Sequence, residues 1–145
     1  MYFFNIHILG MKDMIKILDE VAVNQRLKRI SWEILEDNSD QKEIFFIGVG
    51  KRGGEIANQL ANKVSQISNI NTKYEEFYLD KRDPYNKDKY TNISLDKYTG
   101  KVVVLCDDVL NSGRTLMFAA KYFLETPLAK LSTVVLVDRN HNLYP

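Results

Sequence analysis

Apolar residues recur along this chain in two alternating rhythms. From about Asp19 to Glu36, Val23, Leu27, Ile30 and Ile34 form one stripe at helical spacing, which predicts a helix ended by Asn38, Ser39 and Asp40. A strand follows at Ile44 to Val49. Gly48, Gly50, Gly53 and Gly54 then crowd a turn into a second helix whose Ile56, Leu60, Ala61, Val64 and Ile67 face inward, so it lies on a sheet. Tyr74 to Leu79 reads as a further strand. Val102, Val103, Val104 and Leu105 make a short continuous apolar run, as expected of a parallel strand buried on both faces. Leu116, Ala119, Ala120, Phe123 and Leu124 return to helical spacing before Thr126 and Pro127 stop it, and Val134 to Val137 makes the last strand. Strand and helix alternate, which predicts an α/β fold with a central parallel β-sheet flanked by helices. No internal repeat and no low-complexity segment interrupts it.

One stretch has neither rhythm. Asp80 to Gly100 is polar, rich in Lys, Asp and Tyr, and carries Pro84. A loop this long in a compact domain reads as a flexible lid or a disordered segment.

Composition narrows the class. At 145 residues the chain fits one domain, 1–145, and its 45% hydrophobic and 27% charged content is that of an ordinary globular protein. With 20 basic and 19 acidic residues, net charge +1, there is no global attraction to nucleic acid, so any RNA-binding face is local. Cys106 is the single cysteine and reads as a small buried hydrophobe; a disulfide within the chain is excluded, which fits a reducing cytoplasm. The opening MYFFNIHILG is apolar but short and lacks a basic leader, so it does not read as a signal peptide. No run approaches the ~18 apolar residues of a membrane helix. His7 reads as a surface histidine.

The chemistry concentrates at VVVLCDDVLNSGRT, Val102 to Thr115. Asp107 and Asp108 follow the apolar run, at the carboxyl end of a strand where open α/β sheets place ligands. Adjacent carboxylates repel, and are tolerated where solvent, hydroxyl donors or a metal ion satisfies them; a ribose diol with Mg²⁺ would do so. Asn111, Ser112, Gly113, Arg114 and Thr115 then turn into a helix, whose unpaired N–H groups and positive dipole end suit a phosphate. The Gly48–Gly54 turn is a second anion site, with Gly50 and Gly53 admitting close backbone approach and Lys51 and Arg52 supplying charge. It is not a Walker A loop, because no Gly-Lys-Ser/Thr follows. Close helix–sheet packing is the alternative use of those glycines. A ligand with phosphates at both ends fits the two cradles together.

In this order the segment resembles the phosphoribosyl pyrophosphate (PRPP) motif of the type I phosphoribosyltransferases, and more closely the pyrimidine-operon attenuator proteins that are also uracil phosphoribosyltransferases. The resemblance extends to ILDE and the helix after it, LKRISWEI, GVGKRGGEIA and the terminal VLVDRNHNLYP. It begins near Ile15, so residues 1–14 read as an extension, with Met11 and Met14 as alternative starts. It implies the type I phosphoribosyltransferase fold with a small or truncated hood, because the family continues past Pro145, and it implies a homodimer.

The resemblance also implies the reaction, displacement of pyrophosphate from C1 of PRPP by a ring nitrogen of a base with Mg²⁺ as cofactor. On this reading Asp107, Asp108 and Arg52 are catalytic. The two aspartates hold the ribose hydroxyls and, directly or through water, the metal. Asn111 to Thr115 take the 5′-phosphate, and Gly50, Lys51, Arg52 and Gly53 the pyrophosphate. Lys81 and Arg82 are candidates to reach the pyrophosphate when the lid closes, with a solvated charge run as the alternative, and Val137, Asp138 and Arg139 form the base pocket. Departures from the family matter here. Asn111 stands where 6-oxopurine enzymes carry a basic aspartate, which favours uracil over a purine. Asn111 and Ser112 also replace the attenuator family's tyrosine and threonine. The alternative is a nucleotide-sensing, RNA-binding regulator of pyrimidine genes, for which Lys28, Arg29 and His141 occupy the family's RNA-contact positions. Trp32 and Asn142 replace a histidine and an arginine there, and a purine base is the third reading.

Overall fold

The structure is a computed structural model that describes residues 19–80, 82–91, 93–139 and 143–144. Its elements in chain order are α1 (Glu20–Asp37), β1 (Glu43–Val49), α2 (Gly50–Ile67), β2 (Asn71–Phe77), β3 (Val102–Leu110), α3 (Arg114–Phe123) and β4 (Lys130–Asp138). The four strands are parallel, in the order β2-β1-β3-β4. This is the predicted fold class.

Alternation along the strands divides the core in two. Ile44 and Phe46 of β1, with Val102 and Val104 of β3, face Leu27, Ile30 and Ile34 of α1 and Ile56, Leu60 and Val64 of α2. Phe45 and Ile47, with Val103 and Leu105, face Leu116, Ala119 and Phe123 of α3. α1 begins where the Asp19 carboxylate accepts the Ala22 N–H at 2.7 Å, an N-cap that satisfies one of the helix's free donors. Leu124 does not continue the α3 stripe; it caps the helix and is exposed.

The polar crossover from β2 to β3 covers the α3 face with almost no regular structure. It holds two short 3₁₀ turns, Lys87–Lys89 and Leu95–Tyr98, and it buries Tyr98 and Ile93. Tyr98 meets Phe45 and Phe123 edge-on, with centroids 4.9 and 5.2 Å apart. The expected loop is therefore pinned at its far end, because isolated aromatic residues can anchor a segment that has no period. β2 also starts earlier than predicted, at Asn71, since its half-exposed polar residues give only a weak strand signal. No helix among the described residues is long and apolar enough to cross a membrane.

Sheet order places the site. From β1 the chain moves outward to β2, then crosses back to β3 and on to β4, so the topology reverses between β1 and β3. The carboxyl ends of those two strands flank the crevice that such a reversal opens.

Candidate active site

β3 outruns β1. Pairing between them ends at Gly48 and Cys106, whereas β3 stays paired with β4 as far as Leu110 and Asp138. Asp107 and Asp108 thus lie in the carboxyl-terminal part of β3, past the end of its pairing with β1, as the sequence pattern suggested; the strand itself runs on to Leu110 because its ladder with β4 continues. Successive side chains on a strand point to opposite faces, and the two carboxylates differ accordingly. Asp107 is buried, and its Oδ1 accepts the Asp108 N–H at 2.9 Å; Asp108 is half-exposed. Arg52 Nη1 reaches across from the first turn of α2 to Asp108 Oδ2 at 3.2 Å.

Two depressions meet at this point. The larger, about 610 Å³, is lined from β1 and α2 by Val49, Gly50, Lys51 and Arg52, and from the other side by Tyr78, Asp107, Asp108, Val109, Asn111 and Arg139. The smaller, about 210 Å³, follows the loop from Asn111 to Thr115 and ends at Leu116. Asp107, Val109 and Asn111 line both, so one continuous cleft joins the two expected anion sites.

Not every expected residue reaches the cleft. Gly53 faces β3, where a Cβ would come within 2.4 Å of the Cys106 carbonyl oxygen; a Cβ on Gly48 would come 2.2 Å from the Gly54 Cα, and one on Gly54 2.9 Å from the Glu76 side chain. These glycines set close helix–sheet packing, and the cleft on that side is left to Gly50, Lys51 and Arg52. Gly113 has φ +78° and precedes α3, and the Arg114 N–H that follows it donates to Ser112 Oγ at 3.3 Å. The Arg114 guanidinium lies 5.8 and 5.9 Å from the ring centroids of Tyr85 and Phe118. So Arg114 offers the loop its backbone while its charge sits on the aromatic pair. In the expected base pocket Arg139 lines the cleft and donates its N–H to the Leu110 carbonyl at 3.0 Å, whereas Val137 and buried Asp138 belong to β4. Arg82 is exposed beside Asp80, which accepts its N–H. Lys81 and His141 lie outside the described residues. Lys28 and Arg29 are exposed on α1, with Arg29 paired to Glu33 at 3.2 Å, and do not join the cleft.

Tyr78 is a cleft residue that the hydrophobic pattern does not reveal. It follows β2, two residues after Glu76 and four after Tyr74, and both tyrosine hydroxyls donate to the Glu76 carboxylate. Those hydrogen bonds, with Lys51 adding attraction, hold Glu76 below the usual carboxylate range. Burial, helped by the same bond, pushes Tyr74 up to about 12. The Tyr-x-Glu-x-Tyr alternation was the available signal. Cys106, immediately before the diacid, is fully buried, and desolvation raises its thiol far above the reactive range. It is structural, as expected.

The chain matches the phosphoribosyl transferase domain family over residues 15–145. It is 33% identical over 136 residues to the bifunctional protein PyrR of Brevibacillus brevis, covering 89% of this chain and 76% of that protein. It is 34% identical over 136 residues to the pyrimidine operon regulatory protein of Lactococcus lactis, covering 90% and 76%. In fold it is similar to a hypoxanthine-guanine phosphoribosyltransferase from Bacillus anthracis, with TM-score 0.75, 20% identity, and 94% of this chain and 78% of that chain covered. A hypoxanthine phosphoribosyltransferase of Trypanosoma cruzi gives TM-score 0.70 at 18% identity, over 85% and 71%. Strand order, diacid, phosphate loop and sequence relatives agree: the chain belongs to the type I phosphoribosyltransferases, in their PyrR-like branch.

Proposed function

We propose that this phosphoribosyltransferase transfers the ribose 5-phosphate group of PRPP to uracil, yielding UMP and pyrophosphate. The observation that carries the reading is the joined cleft, with a phosphate-sized loop at one end, Lys51 and Arg52 at the other and two carboxylates at the seam. Asn111 to Thr115 receive the 5′-phosphate through backbone N–H groups and the Ser112 and Thr115 hydroxyls. Asp107 and Asp108 accept from the ribose hydroxyls, which fixes C1 between the two anion sites. Lys51 and Arg52 hold the diphosphate and stabilise the charge it gains as its bond to C1 breaks. The new bond forms from a ring nitrogen of the base, whose proton passes to solvent or to the leaving diphosphate.

Mg²⁺ suits this donor set. The two aspartates supply oxygen ligands, the donor type preferred by an ion that keeps water and phosphate oxygens in its shell. When bound, it neutralises diphosphate charge. Uracil is favoured because Asn111, a cleft residue, cannot act as a base toward a purine, and because the relatives are named for pyrimidine regulation.

The test is pyrophosphate release from PRPP and Mg²⁺ with uracil, hypoxanthine, guanine, adenine or xanthine, with the Asp107→Asn/Asp108→Asn double variant as control. Release with uracil alone, lost in the variant, is the expected result; release with a purine overturns the base assignment. One relative's name, pyrimidine operon regulatory protein, also favours a second reading, regulation of pyrimidine genes, for which RNA is the candidate target. It predicts binding to a structured RNA that weakens steeply with salt and is reduced by Lys28→Ala.

A further inference from the structure

The loop that receives the 5′-phosphate is held from behind. Both the Leu143 and the Tyr144 backbone N–H groups donate to the Ser112 carbonyl, at 3.0 and 3.2 Å. The same segment lies over Gly113, where an added Cβ would come 3.0 Å from the Tyr144 carbonyl oxygen and 3.4 Å from its Cβ. Neither Leu143 nor Tyr144 lines the cleft, which on this side is formed by residues of the loop itself. Ser112 therefore directs its carbonyl out of the cleft and into the C-terminal segment. A loop that binds an anion through N–H groups needs that arrangement, because a carbonyl turned toward phosphate would repel it. The donors are backbone groups, so no side-chain motif marks them.

We infer that the backbone of Leu143 and Tyr144 is a positioning element for the 5′-phosphate loop: two N–H groups clamp the Ser112 carbonyl and hold the Gly113 turn in its binding conformation. The inference rests on the proposed PRPP reading and adds to it a contribution from outside the cleft. The clamp acts on one end of the ligand only. It touches the phosphate loop and makes no bond to Lys51 or Arg52, so it governs affinity for the 5′-phosphate and leaves the pyrophosphate end alone.

Titration calorimetry with ribose 5-phosphate and, separately, with Mg²⁺-pyrophosphate tests this. Leu143→Pro and Tyr144→Pro each delete one donor; Leu143→Ala and Tyr144→Phe keep it. The expected result is roughly ten-fold weaker ribose 5-phosphate binding in each proline variant, pyrophosphate binding within two-fold of wild type, and wild-type behaviour in both conservative variants. Unchanged ribose 5-phosphate affinity in the proline variants overturns the clamp, as does an equal loss in Leu143→Ala. A measurement on the wild-type chain covers the case of a proline variant that does not fold. By reciprocity of coupling, ribose 5-phosphate should slow hydrogen exchange at the Leu143 and Tyr144 amides while pyrophosphate does not. Exchange at free-chain rates with ribose 5-phosphate bound overturns the clamp. A wild-type chain that binds neither probe overturns the PRPP reading itself, an outcome distinct from the others.

Discussion

Arg52 and Asp108, separated by 56 residues in sequence, face each other across the cleft with Nη1 3.2 Å from Oδ2. The arginine side chain is 81% exposed and the aspartate 26%, so the pair is hydrated and contributes at most about 1 kcal/mol to stability. A ligand that brings hydroxyls to Asp108 and a diphosphate to Arg52 replaces the contact at little cost. Arg52→Gln should therefore shift the melting temperature by less than about 4 °C. The same change should lower uracil turnover by roughly 10²–10³-fold, as expected when a donor to a developing anion is removed. A large loss of stability with turnover intact would make the pair structural.

Gly53 makes the opposite prediction. Its missing side chain is filled by the backbone of β3, with the Cys106 carbonyl oxygen 2.4 Å from where a Cβ would stand. Backbone on both sides cannot step aside, so Gly53→Ala should cost about 2–4 kcal/mol in urea unfolding. Gly50→Ala is the control. With φ +71° and open space around it, it should cost only about 1 kcal/mol, from the left-handed conformation alone.

The contrast explains what the sequence could reveal. Leu27, Ile30 and Ile34, or Val102 to Leu105, announce themselves because burial repeats with the period of the element. The diacid and Asn-Ser-Gly-Arg-Thr are legible because phosphate chemistry needs those residue types in that order. Gly53 and Gly50 look alike in sequence, yet one packs a helix onto a strand and the other lines the cleft; only the path of the backbone separates them. Arg114 is legible as a residue of the loop, but the place of its guanidinium near Tyr85 and Phe118 is not. The Leu143 and Tyr144 donors are peptide N–H groups that any residue but proline would supply.

Glu43 gives a pH dependence with a definite sign. At the amino end of β1 its carboxylate meets Lys101 at 2.9 Å and Lys73 at 3.2 Å, tying together the strands on either side. The hydrogen bond from Lys101, then that from Lys73, outweigh partial burial and set its pKa below the ordinary value of 4.5. A carboxylate depressed by folding stabilises the native state fully above its unfolded value and loses that contribution as pH falls through the folded one. Glu43→Gln should thus be less stable than wild type at pH 7, by about 0.5–1 kcal/mol. The deficit should shrink as pH drops below about 4.5. Chemical denaturation at pH 7 and pH 3 measures it; a constant deficit would assign the loss to packing instead of charge.

Two tyrosines of the β2–β3 crossover differ sharply in burial. Tyr98 is fully buried between Phe45 and Phe123, whereas Tyr85 is 72% exposed and meets the Phe118 ring edge-on, with the Arg114 guanidinium near its own ring. Tyr98→Ala removes an aromatic ring from the core and should cost about 3–5 kcal/mol, measured by thermal or urea unfolding. Tyr85→Ala should leave stability within about 1 kcal/mol, since an exposed ring over a cation contributes little. Its effect should appear in binding. Arg114 heads α3 beside the phosphate loop, and without Tyr85 its guanidinium is freed from one of the two rings that hold it away. If the crossover restrains that charge, KM for PRPP should fall in Tyr85→Ala while the melting temperature stays put. A KM that does not move would show that Phe118 alone is enough to hold Arg114 away from the ligand.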